Sequence, residues 1–100
     1  MLNIEKRSEE EKMSYILEGR LDTTTSPELE KEISSLSEDV RELVFDFGRL
    51  DYISSAGLRV LLEAQKLMDR QGEMKVINVN ESIMGIFEVT GFTDILTIEQ

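Results

Sequence analysis

The segment Glu42-Leu43-Val44-Phe45-Asp46-Phe47 is nearly continuous in apolar residues, and after a short polar interval the chain enters Ser54-Ser55-Ala56-Gly57-Leu58-Arg59-Val60-Leu61-Leu62. The first piece reads as a buried strand and the second as the start of a strongly apolar helix. A strand feeding a helix in this way implies a parallel partner strand reached through a right-handed crossover. The same arrangement places two hydroxyls at a helix N-terminus, where unpaired backbone N–H groups and the macrodipole favour an anion. A serine there suits a phosphate, and it suits simple helix capping equally well.

The flanking sequence supplies the remaining elements. Leu2 to Arg7 reads as a first strand, Ser8 to Lys12 as a polar turn and Met13 to Glu18 as a second strand, which together make a hairpin. Gly19-Arg20-Leu21-Asp22 then leads out of the sheet. Thr23-Thr24-Thr25-Ser26-Pro27-Glu28 combines a hydroxyl cap, a first-turn proline and an acid, and Leu29, Ile33 and Leu36 form one apolar stripe on the helix it opens.

The third strand spans Leu43 to Phe47 and has the composition of a strand covered on both faces. The second helix extends from Ser55 to Gln71, with Gly72 placed to cap it. Met74 to Val79 is a fourth strand, and Ser82 is placed to cap a short helix through Ile83, Met84, Ile86, Phe87 and Val89 that ends at Gly91. Phe92 to Ile98 fits a strand or a helix. The expected fold is α/β: one domain over residues 1–100, with a mixed, mostly parallel sheet of four to five strands and helices packed against it.

On the second helix, Arg59, Glu63, Lys66 and Arg70 follow one solvated stripe, while Leu58, Val60, Leu61, Leu62, Ala64, Leu67 and Met68 fill most of the circumference. That arc is wider than a helix lying on a sheet usually needs. Burial between the sheet and neighbouring helices explains it, and so does a partner docking on part of it.

Absent residues narrow the chemistry. Without cysteine the chain has no disulfide, thiolate nucleophile or cysteine metal site, and without histidine it has no imidazole base or phosphohistidine relay. No catalytic residues, metal site or cofactor are expected, and no Gly-rich loop has the spacing that cradles a nucleotide phosphate. With 21 acidic against 11 basic residues the formal charge is −10, which disfavours nucleic acid and anionic lipid and leaves protein partners. No apolar run reaches the ~20 residues of a membrane span, and the N-terminus lacks the pattern of a signal peptide. The expectation is a cytoplasmic protein with no membrane contact.

Gly19-Arg20-Leu21-Asp22 after the second strand and Tyr52-Ile53-Ser54-Ser55-Ala56-Gly57-Leu58 before the second helix together resemble the STAS domain. More narrowly, the chain resembles the bacterial anti-sigma factor antagonists, and it does so over essentially its whole length. The resemblance implies a single STAS-like domain and a regulatory protein rather than an enzyme. In that family the unphosphorylated antagonist binds an anti-sigma factor that is also a serine kinase, and so releases the sigma factor. Phosphorylation of one serine at the start of the second helix ends the binding, and a serine phosphatase restores it.

Matching the family's Gly-Leu pair to Gly57-Leu58 puts the acceptor at Ser55, with Ser54 the second candidate, and Asp22 matches the acidic residue near the acceptor. The implied partner-binding residues are Asp22, Thr23, Thr24, Ser54, Ser55, Ala56, Gly57, Leu58 and Arg59. Thr23, Thr24 and Thr25 are read as loop and capping residues rather than acceptors. The alternative carried by the same resemblance is a STAS subunit of a transport or stressosome-type signalling assembly.

Two positions depart from the family pattern. The residue before the acceptor is commonly Asp and here is Ser54, which leaves two adjacent hydroxyls to divide capping and modification between them. Arg59 stands where relatives often have a small residue, one turn after Ser55 on the same helical face. It is placed either to pair with a phosphate or to sit solvated beside Glu63.

Overall fold

The computed structural model describes all 100 residues. The elements are β1 (Leu2–Glu9), β2 (Lys12–Leu21), α1 (Ser26–Ser34), β3 (Glu42–Ile53), α2 (Ser55–Met68), β4 (Glu73–Ile77) and α3 (Glu81–Thr90), followed by a 3-10 turn at Phe92–Asp94. The strands lie in sequence order, β1-β2-β3-β4. The β1–β2 hairpin is antiparallel, and the β2–β3 and β3–β4 pairs are parallel through the α1 and α2 crossovers. This is the mixed, mostly parallel sheet expected, with four strands.

Period-2 alternation decides which face is closed. Tyr15, Leu17, Leu43, Phe45 and Phe47 are each at most 1% exposed, whereas Ser14, Ile16 and Asp46 on the other face stay partly exposed. Burial of β3 is therefore complete on one face and partial on the other, short of the two-sided cover its composition suggested. The Tyr15 ring stacks on Phe45 with centroids 5.7 Å apart, and its hydroxyl donates to the Glu32 carbonyl of α1 across 3.5 Å. Phe47 meets Phe87 of α3 at 6.3 Å. Each such buried side chain contributes roughly 1.5–3 kcal/mol through apolar burial.

The wide apolar arc of α2 is a packing surface: Val60, Leu61, Ala64 and Met68 are at most 3% exposed, with Arg59, Glu63 and Lys66 on the solvent side and Arg70 exposed in the turn beyond the helix end. On α1, Leu29 and Ile33 are buried, while Leu36 lies beyond the helix end and is half-buried.

Several boundaries differ from the sequence reading, each for a local reason. β2 runs on through Gly19 to Leu21, and β3 runs on to Ile53, because these two strands keep pairing after β4 has stopped at Ile77. The polar residues after Phe47 are solvated because they form the exposed end of a paired strand. Helix α2 ends at Met68, and Gly72 is no left-handed cap; a side chain there would collide with the Arg41 carbonyl. Helix α3 is capped by Asn80, whose Oδ1 accepts from the Ile83 N–H at 2.9 Å, so Ser82 lies inside the helix. Gly91 ends α3 with φ 80°, as anticipated. The C-terminal segment forms neither a regular strand nor an α-helix: it makes a short 3-10 turn, then one parallel bridge from Ile98 to Val76.

Candidate functional site

The loops that follow β2 and β3 are joined at the C-terminal ends of these parallel strands, the end of an open α/β sheet where ligand and partner sites gather. Leu21 and Ile53 are register partners, and the Ser54 N–H donates to the Leu21 carbonyl at 2.9 Å. That bond holds the β2–α1 turn, with Asp22, Thr23 and Thr24, beside the start of α2.

Asp22 organises the first loop. Its Oδ1 accepts from the backbone N–H groups of Thr24 and Thr25, each at 3.0 Å. Its Oδ2 lies 3.6 Å from Arg20 Nε. The Thr25 N–H above all, helped by the Thr25 hydroxyl, the Thr24 N–H and the Arg20 charge, holds the carboxyl below the usual carboxylate range. Thr25 is 5% exposed, and its hydroxyl donates to the Arg20 carbonyl at 2.7 Å and accepts from the Asp22 N–H at 2.9 Å. The Thr25 backbone is already in the α region, so its side chain serves the turn and does not cap α1. Thr23 and Thr24 are exposed.

The serine pair is divided by burial. Ser54 occupies the N-cap position with extended backbone, and its carbonyl takes the Leu58 N–H at 3.0 Å. Its Oγ, however, is buried and has no hydrogen-bond partner. Ser55 is the first residue of α2 and is exposed. Ser54 thus stands at the N-cap position without the side-chain cap expected of it, because its hydroxyl is enclosed away from the first-turn N–H groups.

Gly57 and Leu58 face inward. A Cβ at Gly57 would stand 2.8 Å from both Ile53 Cγ1 and Leu21 Cγ, so glycine lets α2 sit directly on the Leu21–Ile53 rung. Leu58 is 7% exposed. Ala56 and Arg59 line a shallow groove with Thr23, Ser26, Pro27 and Glu30, between the starts of α1 and α2. Arg59 makes no ion pair with Glu63 or any other acid. The structure thus gathers all nine sequence-derived residues at one end of the sheet, with Gly57 and Leu58 supporting the loop from beneath.

Two further residues stand at this end. Arg20 and Tyr52 are register partners, and the Arg20 guanidinium lies over the Tyr52 ring, 4.2 Å from its centroid. A register shift between Gly19 and Arg20 leaves Asp51 as an extra residue on β3 and turns Tyr52 toward Arg20. No helix of the chain is long and apolar enough to cross a membrane.

The sheet order and the serine-bearing helix start define a small α/β domain of the STAS type. The STAS domain matches residues 3–100, and the chain belongs to that family. Among curated proteins it is 39% identical over 84 residues to BtrV of Bordetella bronchiseptica, described as a candidate anti-sigma factor antagonist, covering 82% of this chain and 72% of that one. It is 26% identical to the anti-sigma-B factor antagonist of Bacillus subtilis, over 97% of this chain and 90% of that one. Among solved structures, an anti-sigma factor antagonist from Mycobacterium paratuberculosis superposes with a TM-score of 0.88 at 18% identity, covering 99% of this chain and 86% of that one. The anti-sigma factor antagonist SpoIIAA in its unphosphorylated form superposes with a TM-score of 0.76 at 17% identity, over 100% and 87% of the two chains.

Proposed function

We propose that this protein is an anti-sigma factor antagonist of the partner-switching kind: unmodified, it binds an anti-sigma factor serine kinase and frees the sigma factor, and phosphorylation of Ser55 ends the binding. The observation that carries this reading is the division of the serine pair. Ser55 is an exposed residue on the first turn of α2, while the Ser54 hydroxyl is enclosed. A kinase must reach the oxygen it modifies, which selects Ser55. The 39% identity to BtrV supports the same class.

The physical logic follows from the site. A phosphate brings roughly −1.5 to −2 charge at pH 7, and the first-turn N–H groups of α2 accept it within the monomer. A partner packed on the loop meets instead added bulk and a charge it must desolvate. A loss of about 3 kcal/mol weakens binding roughly a hundredfold, enough for a switch. The protein acts by binding and carries no catalysis of its own, and a serine phosphatase completes the cycle.

The test is incubation with an anti-sigma factor serine kinase and ATP, followed by mass mapping of the phosphosite and a binding measurement before and after. The expected result is one phosphate on Ser55 and loss of the complex. Absence of phosphate from both Ser54 and Ser55, with no complex formed by the unmodified chain, overturns the reading.

A further inference from the structure

The chain keeps most of its rings inside: Tyr15, Phe45, Phe47 and Phe87 are at most 1% exposed. Tyr52, at 37%, is the one ring among its exposed large apolar side chains. It sits on the last strand rung before Leu21–Ile53, beside the loop that carries Ser55. Over it lies Arg20, whose side chain is 53% exposed.

The guanidinium is restrained on two sides, by the ring beneath it and by Asp22 at its Nε. Its terminal Nη donors make no hydrogen bond within the chain and are left facing outward. A planar fork already held in place by an aromatic face is prepared for a carboxylate, which it meets with two parallel bonds. Arginine and tyrosine are also the residue types that most often dominate a docking interface, where they desolvate at little further cost in freedom.

Charge narrows the partner. The chain carries −10 overall, so a face presenting carboxylates is repelled except where cationic donors stand forward. The Ser55 end brings forward two such cations: Arg59, which has no anionic partner, and Arg20, which meets Asp22 through its Nε edge and keeps its Nη donors free. The opposite end carries the run Glu9-Glu10-Glu11 at the hairpin turn, with Glu38, Asp39, Glu42 and Glu73 at or near the starts of the parallel strands.

We propose that the Arg20–Tyr52 stack is a docking anchor, with Tyr52 giving the apolar contact and Arg20 receiving a carboxylate from an acidic patch on the kinase partner. This rests on the partner-switching reading and extends it to two residues outside the serine loop. Because the stack borders Ser55, a phosphate there competes with the partner's carboxylate for the same end of the molecule.

The test is the affinity of the unmodified full chain for the kinase that phosphorylates it, measured by calorimetry at low and physiological salt. Arg20→Ala and Tyr52→Ala are each expected to weaken binding tenfold or more, and Arg20→Lys to recover little because it keeps the charge and loses the fork. Tyr52→Phe keeps the stack and should bind within twofold of the parent, as should Lys12→Ala at the far end of β2, roughly 26 Å away. Thermal unfolding of every variant shows that each is folded. Losses below tenfold in either alanine variant, or an equal loss in Lys12→Ala, overturn the anchor and leave the partner-switching reading standing. Failure of the parent chain to bind any such kinase overturns both.

Discussion

The Ser54 N–H reaches the Leu21 carbonyl across 2.9 Å, so the end of β2 sets where α2 begins. The helix can approach that rung only because Gly57 has no side chain. Gly57→Ala gains helix propensity, worth up to about 1 kcal/mol. It also drives a methyl to 2.8 Å from the buried Ile53 and Leu21 side chains. Overpacking of this kind costs about 1–3 kcal/mol. The repulsion wins, and urea denaturation is expected to show a net loss of about 1–2 kcal/mol, together with changed amide shifts at Ser54 and Ser55.

The serines should separate in stability as well as in modification. A capping serine replaced by alanine ordinarily costs ~1 kcal/mol, but the Ser54 hydroxyl is buried without a partner. Removing an unsatisfied buried hydroxyl relieves a desolvation penalty of about 1–3 kcal/mol. Ser54→Ala is therefore expected to leave stability unchanged or raise it, and to remain a kinase substrate. Ser55→Ala should fold normally and take up no phosphate. Parallel denaturation curves and phosphate incorporation read both outcomes.

Arg59 lies one turn after Ser55 and has no acidic partner. A phosphate on Ser55 supplies one, through charge-assisted hydrogen bonds. Phosphorylation is expected to raise the thermal midpoint more in the parent chain than in Arg59→Ala. Equal shifts in the two would mean that the helix N-terminus alone receives the phosphate.

Alkaline pH should act through Tyr15. Burial first, and the nearby Glu32 charge second, push its hydroxyl up from 10.0 to about 12. The folded chain therefore holds this proton over a range in which the unfolded chain releases it. The stabilising contribution is complete below pH 10.0 and is lost as pH rises through about 12. Denaturation across this range, with Tyr15→Phe as reference, is expected to show a steeper decline in the parent.

Most of the architecture was legible because alternation, helical stripes and turn residues agree along the chain. Leu29 and Ile33 on α1, the solvated Arg59, Glu63 and Lys66 on α2 and Gly91 after α3 all lie where periodicity and capping rules put them. The misread places are those where a distant segment decides. Gly72 resembles a helix cap in sequence, yet it is glycine because the Arg41 backbone passes against it. Asn80 takes the cap ahead of Ser82 because its amide also donates to the Leu50 carbonyl at 3.1 Å. The Arg20–Tyr52 pair was invisible for the same reason: it depends on a cross-strand register that the extra residue Asp51 shifts by one. At the serine loop the sequence showed two hydroxyls at a helix start, and only packing shows which one is enclosed.

The parallel bridge from Ile98 to Val76 closes more than a gap at the C-terminus. The Val76 N–H donates to the Thr97 carbonyl at 2.9 Å, and the Glu99 N–H donates back to the Val76 carbonyl at 2.8 Å. The outer hydrogen-bonding groups of β4 at that point are thereby consumed. On the opposite edge, the exposed Glu5, Lys6 and Arg7 of β1 crowd the rim with charge. Each edge of the sheet is thus blunted by its own device, a covering segment at one point of β4 and charge along β1, and both disfavour the addition of a further strand.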